Sequence, residues 1–243
     1  MMPFDFSNPW FFLIILVTLA SMFIGWRLKA VMRSIGKIPT SSGMTGKEIA
    51  EAMLRHYNIH DVEVLPAKGF LTDHYNPTNK SIRLSEGVYA ARSVAAAAVA
   101  AHECGHAVQH ASSYPALGFR SALVPVVSIG SRFSQYLLYG GLILSGIGVS
   151  GGGGMGLGYY LLLGGVILLG ASALFSIITL PVEFDASKRA LKWLESTGFV
   201  RGKEYSAAKK GLTWAAMTYV ASAVAAIANL MYWAQYLLRA SSN

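Results

Sequence analysis

Cysteine is almost absent from this chain: Cys104 is the one thiol among 243 residues, so no internal disulfide can staple the fold. That usage fits a reducing compartment. Charge is scarce too. Asp, Glu, Lys and Arg make up 13% of the residues, about half the share of a soluble domain, and the mean hydropathy is positive. Acidic residues are the scarcer sign, 12 against 20 Lys and Arg, which leaves a net charge of +8. No basic-aromatic motif accompanies that excess, so nucleic acid is not the expected partner. What is abundant is apolar sequence, and the chain reads as a membrane protein.

Four uncharged stretches are each long enough for a crossing of the hydrocarbon core: Pro9 to Trp26, about Phe133 to Ser150, Tyr159 to Pro181 and Leu212 to Leu238. The first lacks a basic n-region and a small-residue cleavage site, and it reads as an uncleaved anchor. Between Arg27 and Arg132 lie twelve Lys or Arg, and between Lys188 and Lys210 seven more. Only Arg239 follows the last stretch, and no basic residue precedes the first. Under the positive-inside rule the two basic segments face the cytoplasm, while the N-terminus, the glycine loop Gly151 to Gly154 and the C-terminus lie outside. Anionic lipid is the partner that this charge pattern implies. The Gly, Ala and Ser of the third and fourth stretches also permit close helix contacts, within a chain or in a homo-oligomer.

One short segment carries chemistry. His102-Glu103-Cys104-Gly105-His106 spells H-E-x-x-H in an alanine-rich run expected to be helical from about Ser93 to Ala111. Residues four apart share a helix face, so both imidazoles can bind one metal while Glu103 leans toward a water beside it. Zinc suits such ligands, and a catalytic zinc takes three protein ligands plus water. Cys104 points to another face and reads as packing.

The third ligand is less apparent. His110 extends the histidine stripe, but at 1.5 Å per residue it lies about 12 Å along the axis from His102, too far to share the ion. His74, in Thr72-Asp-His-Tyr-Asn-Pro77, can approach from a neighbouring sheet or serve as a turn histidine. Glu183, in Thr179-Leu-Pro-Val-Glu-Phe-Asp-Ala-Ser187, is the better candidate. Pro181 either starts a helix there or kinks one already running. Asp185 has Arg189 four residues on and reads as an ordinary ion pair. Glu183 has no basic residue three or four positions later, and Ala186, Ser187 and Ala190 give its face the small residues needed to press against the metal helix.

Around the motif, residues 33–132 have the texture of a small α+β domain. Thr45-Gly-Lys-Glu48 is a capping box opening a helix to about Tyr57. Asp61 to Leu65 alternates like a strand, Pro66 with Gly69 and Asn76 to Asn79 mark turns, and Ser81 to Ser85 reads as a second strand. An edge strand of such a sheet can pair with an extended peptide.

HECGH followed by PVEFDASKRA, together with TDHYNPTNKSIRLSEGVY, resembles the membrane-bound neutral zinc metallopeptidases of the YugP-like family, and more distantly the HtpX- and Ste24-like gluzincins. The second motif of those distant relatives is E-x-x-A-D-x-x-A. The resemblance implies Glu183 as third zinc ligand and Glu103 as catalytic base, with Ala186 and Ala190 on the motif's alanines. Ser187 stands where the relatives have an Asp that steadies a ligand histidine. For the oxyanion of the transition state, His74, Arg189, Arg201 and Tyr205 are the candidate donors.

The expectation is therefore a mainly α, helical integral membrane protein with about four transmembrane helices and a small α+β, zincin-like cytoplasmic metalloprotease domain. Its parts are an anchor (1–32), the domain with sheet and H-E-x-x-H helix (33–132), a transmembrane hairpin (133–182), a segment carrying the third ligand (183–211) and a last transmembrane helix (212–243). The expected activity is zinc-dependent cleavage of peptides or membrane proteins at the cytoplasmic surface of the plasma membrane, with one zinc per chain. A non-catalytic zinc scaffold is the alternative. A site-2-type intramembrane protease would need an Asp ligand on a separate span, and no span holds one. A transporter would carry polar residues near mid-membrane, and these stretches are apolar.

Overall fold

The computed structural model describes residues 9–146 and 156–241. The glycine loop Gly151 to Gly154, on which part of the topology argument rests, lies outside them. Among the described residues, seven helices and a three-stranded sheet follow in the order α1 (Pro9–Ile35), α2 (Gly46–His56), β1 (Glu63–Ala67), β2 (His74–Asn76), β3 (Ser81–Ser85), α3 (Glu86–Tyr89), α4 (Val94–Ala111), α5 (Pro115–Gly146), α6 (Leu157–Ser196) and α7 (Lys203–Ser241). The protein is mainly helical.

Among the described residues, α1, α6 and α7 are long and apolar enough to cross a membrane. The expected second crossing falls in α5, and its last residues, 147–150, lie outside the described part. Arg120 and Arg132 lie in α5 ahead of the apolar stretch.

The chain groups into two compact units. An apolar unit takes Met1–Met22, Phe119–Thr179 and Tyr219–Asn243; a mixed unit takes Phe23–Gly118 and Leu180–Thr218. In the apolar unit, α5 and α6 approach where glycines replace side chains. A Cβ on Gly141 would stand 2.7 Å from the Leu162 nitrogen, and one on Gly165 2.6 Å from Leu138 Cγ. Leu138 and Leu162 are fully buried there, with Tyr232, Trp233 and Tyr236 of α7 in the same cluster.

The mixed unit is built around α4. Its N-cap Ser93 is extended, and the Ser93 Oγ accepts from the Ala96 amide. Ala96, Ala97, Ala98, Ala100 and Ala101 are completely buried. Residues this small let α2 lie close along α4, with Ile49, Ala50 and Met53 inside. The capping box of α2 is present: the Glu48 amide donates to Thr45 Oγ1 and the Thr45 amide donates to Glu48 Oε2.

The sheet has the order β1-β3-β2, with β1 parallel and β2 antiparallel to β3. Two local expectations shift. The first strand is Glu63–Ala67 rather than Asp61 to Leu65, so Pro66 sits inside a strand instead of in a turn. β1 is an edge, where one row of amides has no ladder partner, and a residue without an N–H is tolerated there. The turn at Asn76 to Asn79 is present, held by the Thr78 amide donating to Asn76 Oδ1, and it joins β3 to β2, a strand too short to announce itself.

Past the apolar unit's last α6 residue, Thr179, the helix continues without a break through Pro181 to Ser196. Of the two alternatives at Pro181, the helix already running is the one adopted. Glu183 thus stands in the middle of a long helix, not in a first turn.

Candidate metal centre

α4 presents His102 and His106 one turn apart, their rings edge to face with centroids 4.8 Å apart. Across from them α6 brings Glu183. The His102 Nε2 lies 3.3 Å and the His106 Nε2 3.5 Å from the same Glu183 Oε2. Three ligand atoms set tetrahedrally about 2.1 Å from a zinc ion would stand about 3.4 Å apart. All three atoms of this group fall within 4.8 Å of one another. Two imidazoles and one carboxylate are the right donors, and their spacing fits the ion.

Close approach of the two helices makes this possible. Gly105 lies between the histidines, and a Cβ there would come within 2.6 Å of the Ala186 carbonyl oxygen. Ala186 and Ala190 are fully buried on the facing side of α6. The glycine of HECGH is therefore a notch for the backbone of α6.

The other nitrogen of each ring is held as well. His106 Nδ1 is 3.0 Å from Gln109 Oε1, and Gln109 is completely buried. The Gln109 Nε2 donates to the Val182 carbonyl at 2.7 Å and to Asp185 Oδ2 at 2.9 Å. Both of those partners only accept, which fixes which end of the amide is nitrogen. Its oxygen must then receive a proton from His106 Nδ1, leaving the lone pair of neutral His106 on Nε2, toward Glu183. For the other ligand, His102 Nδ1 lies 3.1 Å from Ser187 Oγ. A ligand histidine braced through its second nitrogen is oriented for metal. Asp185 does pair with Arg189, whose Nε donates at 2.6 Å, while also anchoring Gln109.

Burial sets the electrostatics. Glu183 exposes only 3% of its side chain. Burial alone would raise its carboxyl, but the His102 and His106 imidazoles outweigh this and hold it well below the usual carboxylate range. Glu103 is pushed up by burial, with the same two imidazoles opposing. Burial lowers and the Glu183 carboxylate raises His106, and the net direction is up. The Cys104 thiol, buried and directed at the Ala50 carbonyl, is pushed well above its ordinary value by burial. It acts as packing in the core.

The remaining candidates are placed elsewhere. His74 Nδ1 donates to the Thr72 carbonyl, its ring is exposed, and it is not in the ligand group. His110, excluded on distance, is hydrogen-bonded to the Tyr75 hydroxyl and so ties α4 to β2. Arg189 is committed to Asp185 and stands 5.9 Å over the Tyr114 ring. Arg201 donates to the Gly198 carbonyl in the exposed turn before α7. Tyr205 lines a cavity between α6 and α7. Gln109 and Gly105 went unassigned in the sequence; the available signal was Gln109's position three residues after His106, on the ligand side of an otherwise alanine-rich helix.

The chain matches the model of the family described as "putative neutral zinc metallopeptidase" over residues 10–238. It belongs to that family. A relative named "Putative membrane protease YugP", from Bacillus subtilis (strain 168), is 40% identical over 230 residues, covering 93% of this chain and 97% of its own length. No solved structure matches. The family accounts for the zinc-type donor set, and the relative's name agrees with the long apolar helices.

Proposed function

We propose that this chain is a membrane-embedded endopeptidase that binds one zinc ion through His102, His106 and Glu183 and uses Glu103 as general base. The observation that carries this reading is the convergence of three ligand atoms from α4 and α6, with Gln109 and Ser187 bracing the second nitrogen of each histidine. Zinc held by these residues supplies a Lewis acid that polarises the scissile carbonyl and brings the pKa of water to about 7. Glu103 follows His102 directly, so its carboxylate takes a proton from the attacking water and returns it to the leaving amine. Its buried surroundings favour the protonated form, which suits the second of those tasks. Ser187 Oγ accepts from His102 Nδ1, as ligation through Nε2 requires, without adding charge, where an Asp would add a negative one.

In this reading the protein is a multi-pass plasma-membrane protein with four crossings, the fourth being the apolar end of α5. Both basic segments, and hence the site, face the cytoplasm, in keeping with the distribution of Lys and Arg. Peptides or membrane proteins held at that surface are the substrates. β2 is a sheet edge packed against α4, so an extended substrate strand can add to it beside the metal.

The deciding experiment replaces Glu103 with Gln in the full chain. Zinc content should stay at one per chain while peptide cleavage falls by a factor of a thousand or more, on the order expected when an essential proton carrier is removed. Cleavage surviving in zinc-loaded protein sinks the mechanism. A wild-type protein that binds zinc but cleaves no peptide would establish the scaffold.

A further inference from the structure

A second site is defined mostly by residues outside the metal-ligand group, and it shares Ser187 with the metal centre. Between α6 and α7, within the mixed unit, lies a cavity of about 410 Å³. Lys188, Lys192 and Lys209 line it. Lys188 and Lys192 are four residues apart on one face of α6, and like charges at that spacing repel. None of the three forms an ion pair among the described residues, although Glu195 also borders the cavity. All three are exposed, and three cations against the one acid around this space make it a better fit for an anion than for a cation.

The rest of the wall says what kind of anion. Phe184, Leu191 and Leu212 are apolar, and Phe184 is 48% exposed. A free phosphate would leave that surface wet. Along the chain the lysines also stand where the helices change character: α6 is uncharged from Leu157 to Val182, and α7 is uncharged from Gly211 to Leu238. Basic pockets between helices that leave the bilayer on the cytoplasmic side recognise lipid head groups. We infer that this cavity binds an anionic phospholipid, its phosphate among Lys188, Lys192 and Lys209 and its glycerol and upper acyl carbons against Phe184, Leu191 and Leu212.

The site has a route to the metal centre. Ser187 forms part of the cavity wall, and its Oγ is the group 3.1 Å from His102 Nδ1. Glu183 and Ser187 face α4 from the same two turns of α6 that carry Phe184 and Lys188. A lipid seated in the cavity would thus lie against the same two turns of α6 that face the metal centre.

The inference uses the membrane placement proposed above but not the peptidase chemistry, and its test reads binding directly. The full chain in a zwitterionic detergent is titrated with dioleoyl phosphatidylglycerol, with dioleoyl phosphatidylcholine and with inorganic phosphate, and retained adducts are counted by native mass spectrometry. One phosphatidylglycerol should be retained with at least about tenfold preference over phosphatidylcholine, and millimolar phosphate should not displace it. The K188Q/K192Q/K209Q variant should lose about tenfold or more in that binding, while K188R/K192R/K209R keeps it. Equal retention of the two lipids, displacement by phosphate, or undiminished binding in a glutamine variant that still carries zinc would each overturn the assignment. Should the glutamine variant not fold, the lipid preference of the wild-type protein and its persistence in the arginine variant decide. A chain that proves to have no peptidase activity leaves all these readouts intact.

Discussion

In the apolar unit, hydroxyl groups look after themselves: Thr18, Ser21, Ser128, Ser172, Ser176 and Thr179 each donate to the carbonyl four residues back in their own helix. In the mixed unit some hydroxyls do the same, as at Thr197 and Thr213, but several polar side chains also reach far along the sequence. Gln109 bonds to Val182 and Asp185, Ser187 to His102, and Ser41 to Glu204, 163 residues away. A back-bonded serine needs no partner helix and carries no information about which helix lies beside it. In apolar surroundings that is a safe way to hide a hydroxyl, and the helices are then matched by shape, at Gly141 and Gly165. The mixed unit instead spends long-range hydrogen bonds on fixing the orientation of particular atoms. Shape suffices to pack helices, but placing an imidazole nitrogen needs polar partners.

Removing a ligand breaks the contrast most completely. Glu183→Ala should reduce bound zinc from one per chain to a small fraction and abolish cleavage, read by metal analysis of the purified protein; full stoichiometric zinc would move the third ligand to His74 or Asp185. Next in size is the notch. Gly105→Ala sets a methyl against the Ala186 carbonyl and Gly141→Ala sets one against the Leu162 nitrogen, at 2.6 and 2.7 Å. Both should cost about 1–3 kcal/mol, seen as lowered thermal midpoints. Only Gly105→Ala should weaken zinc retention against a chelator, because only there does the displaced backbone carry a ligand.

The brace comes third. Gln109→Met keeps the volume and drops three hydrogen bonds, and zinc affinity should fall about 10- to 100-fold with the fold retained by circular dichroism. If affinity is unchanged, long-range bonds do not place the imidazole and the contrast fails. Smallest is Ser172→Ala, which removes a local bond only. It should change stability by no more than about 0.5 kcal/mol and leave zinc binding untouched.

Much of the site was legible because its signals are local. H-E-x-x-H at helical spacing points to two candidate ligands and a candidate base by itself. Glu183 stands out as an acid with small neighbours and no cation three or four residues later, next to an apolar stretch. Gln109 gave no such signal, since its meaning lies in Val182 and Asp185 more than seventy residues on. Pro66 inside β1 was hidden for a related reason: a proline reads as a turn until the sheet order makes its strand an edge. β2 has three residues, too few for any periodicity. The unbroken α6 could not be decided locally either, because the residues around Pro181 are compatible with both a helix start and a continuing helix.

Glu183 is translated about eighty residues after His106, on the far side of the apolar stretch that begins α6. At ordinary elongation rates that separates the first two ligands from the third by roughly 4 to 15 s. On the reading proposed above, a nascent chain in that interval has the H-E-x-x-H residues without Glu183 and so lacks a complete metal centre. On the same reading, spacing along the gene would defer peptidase activity until the helix that carries Glu183 has been made.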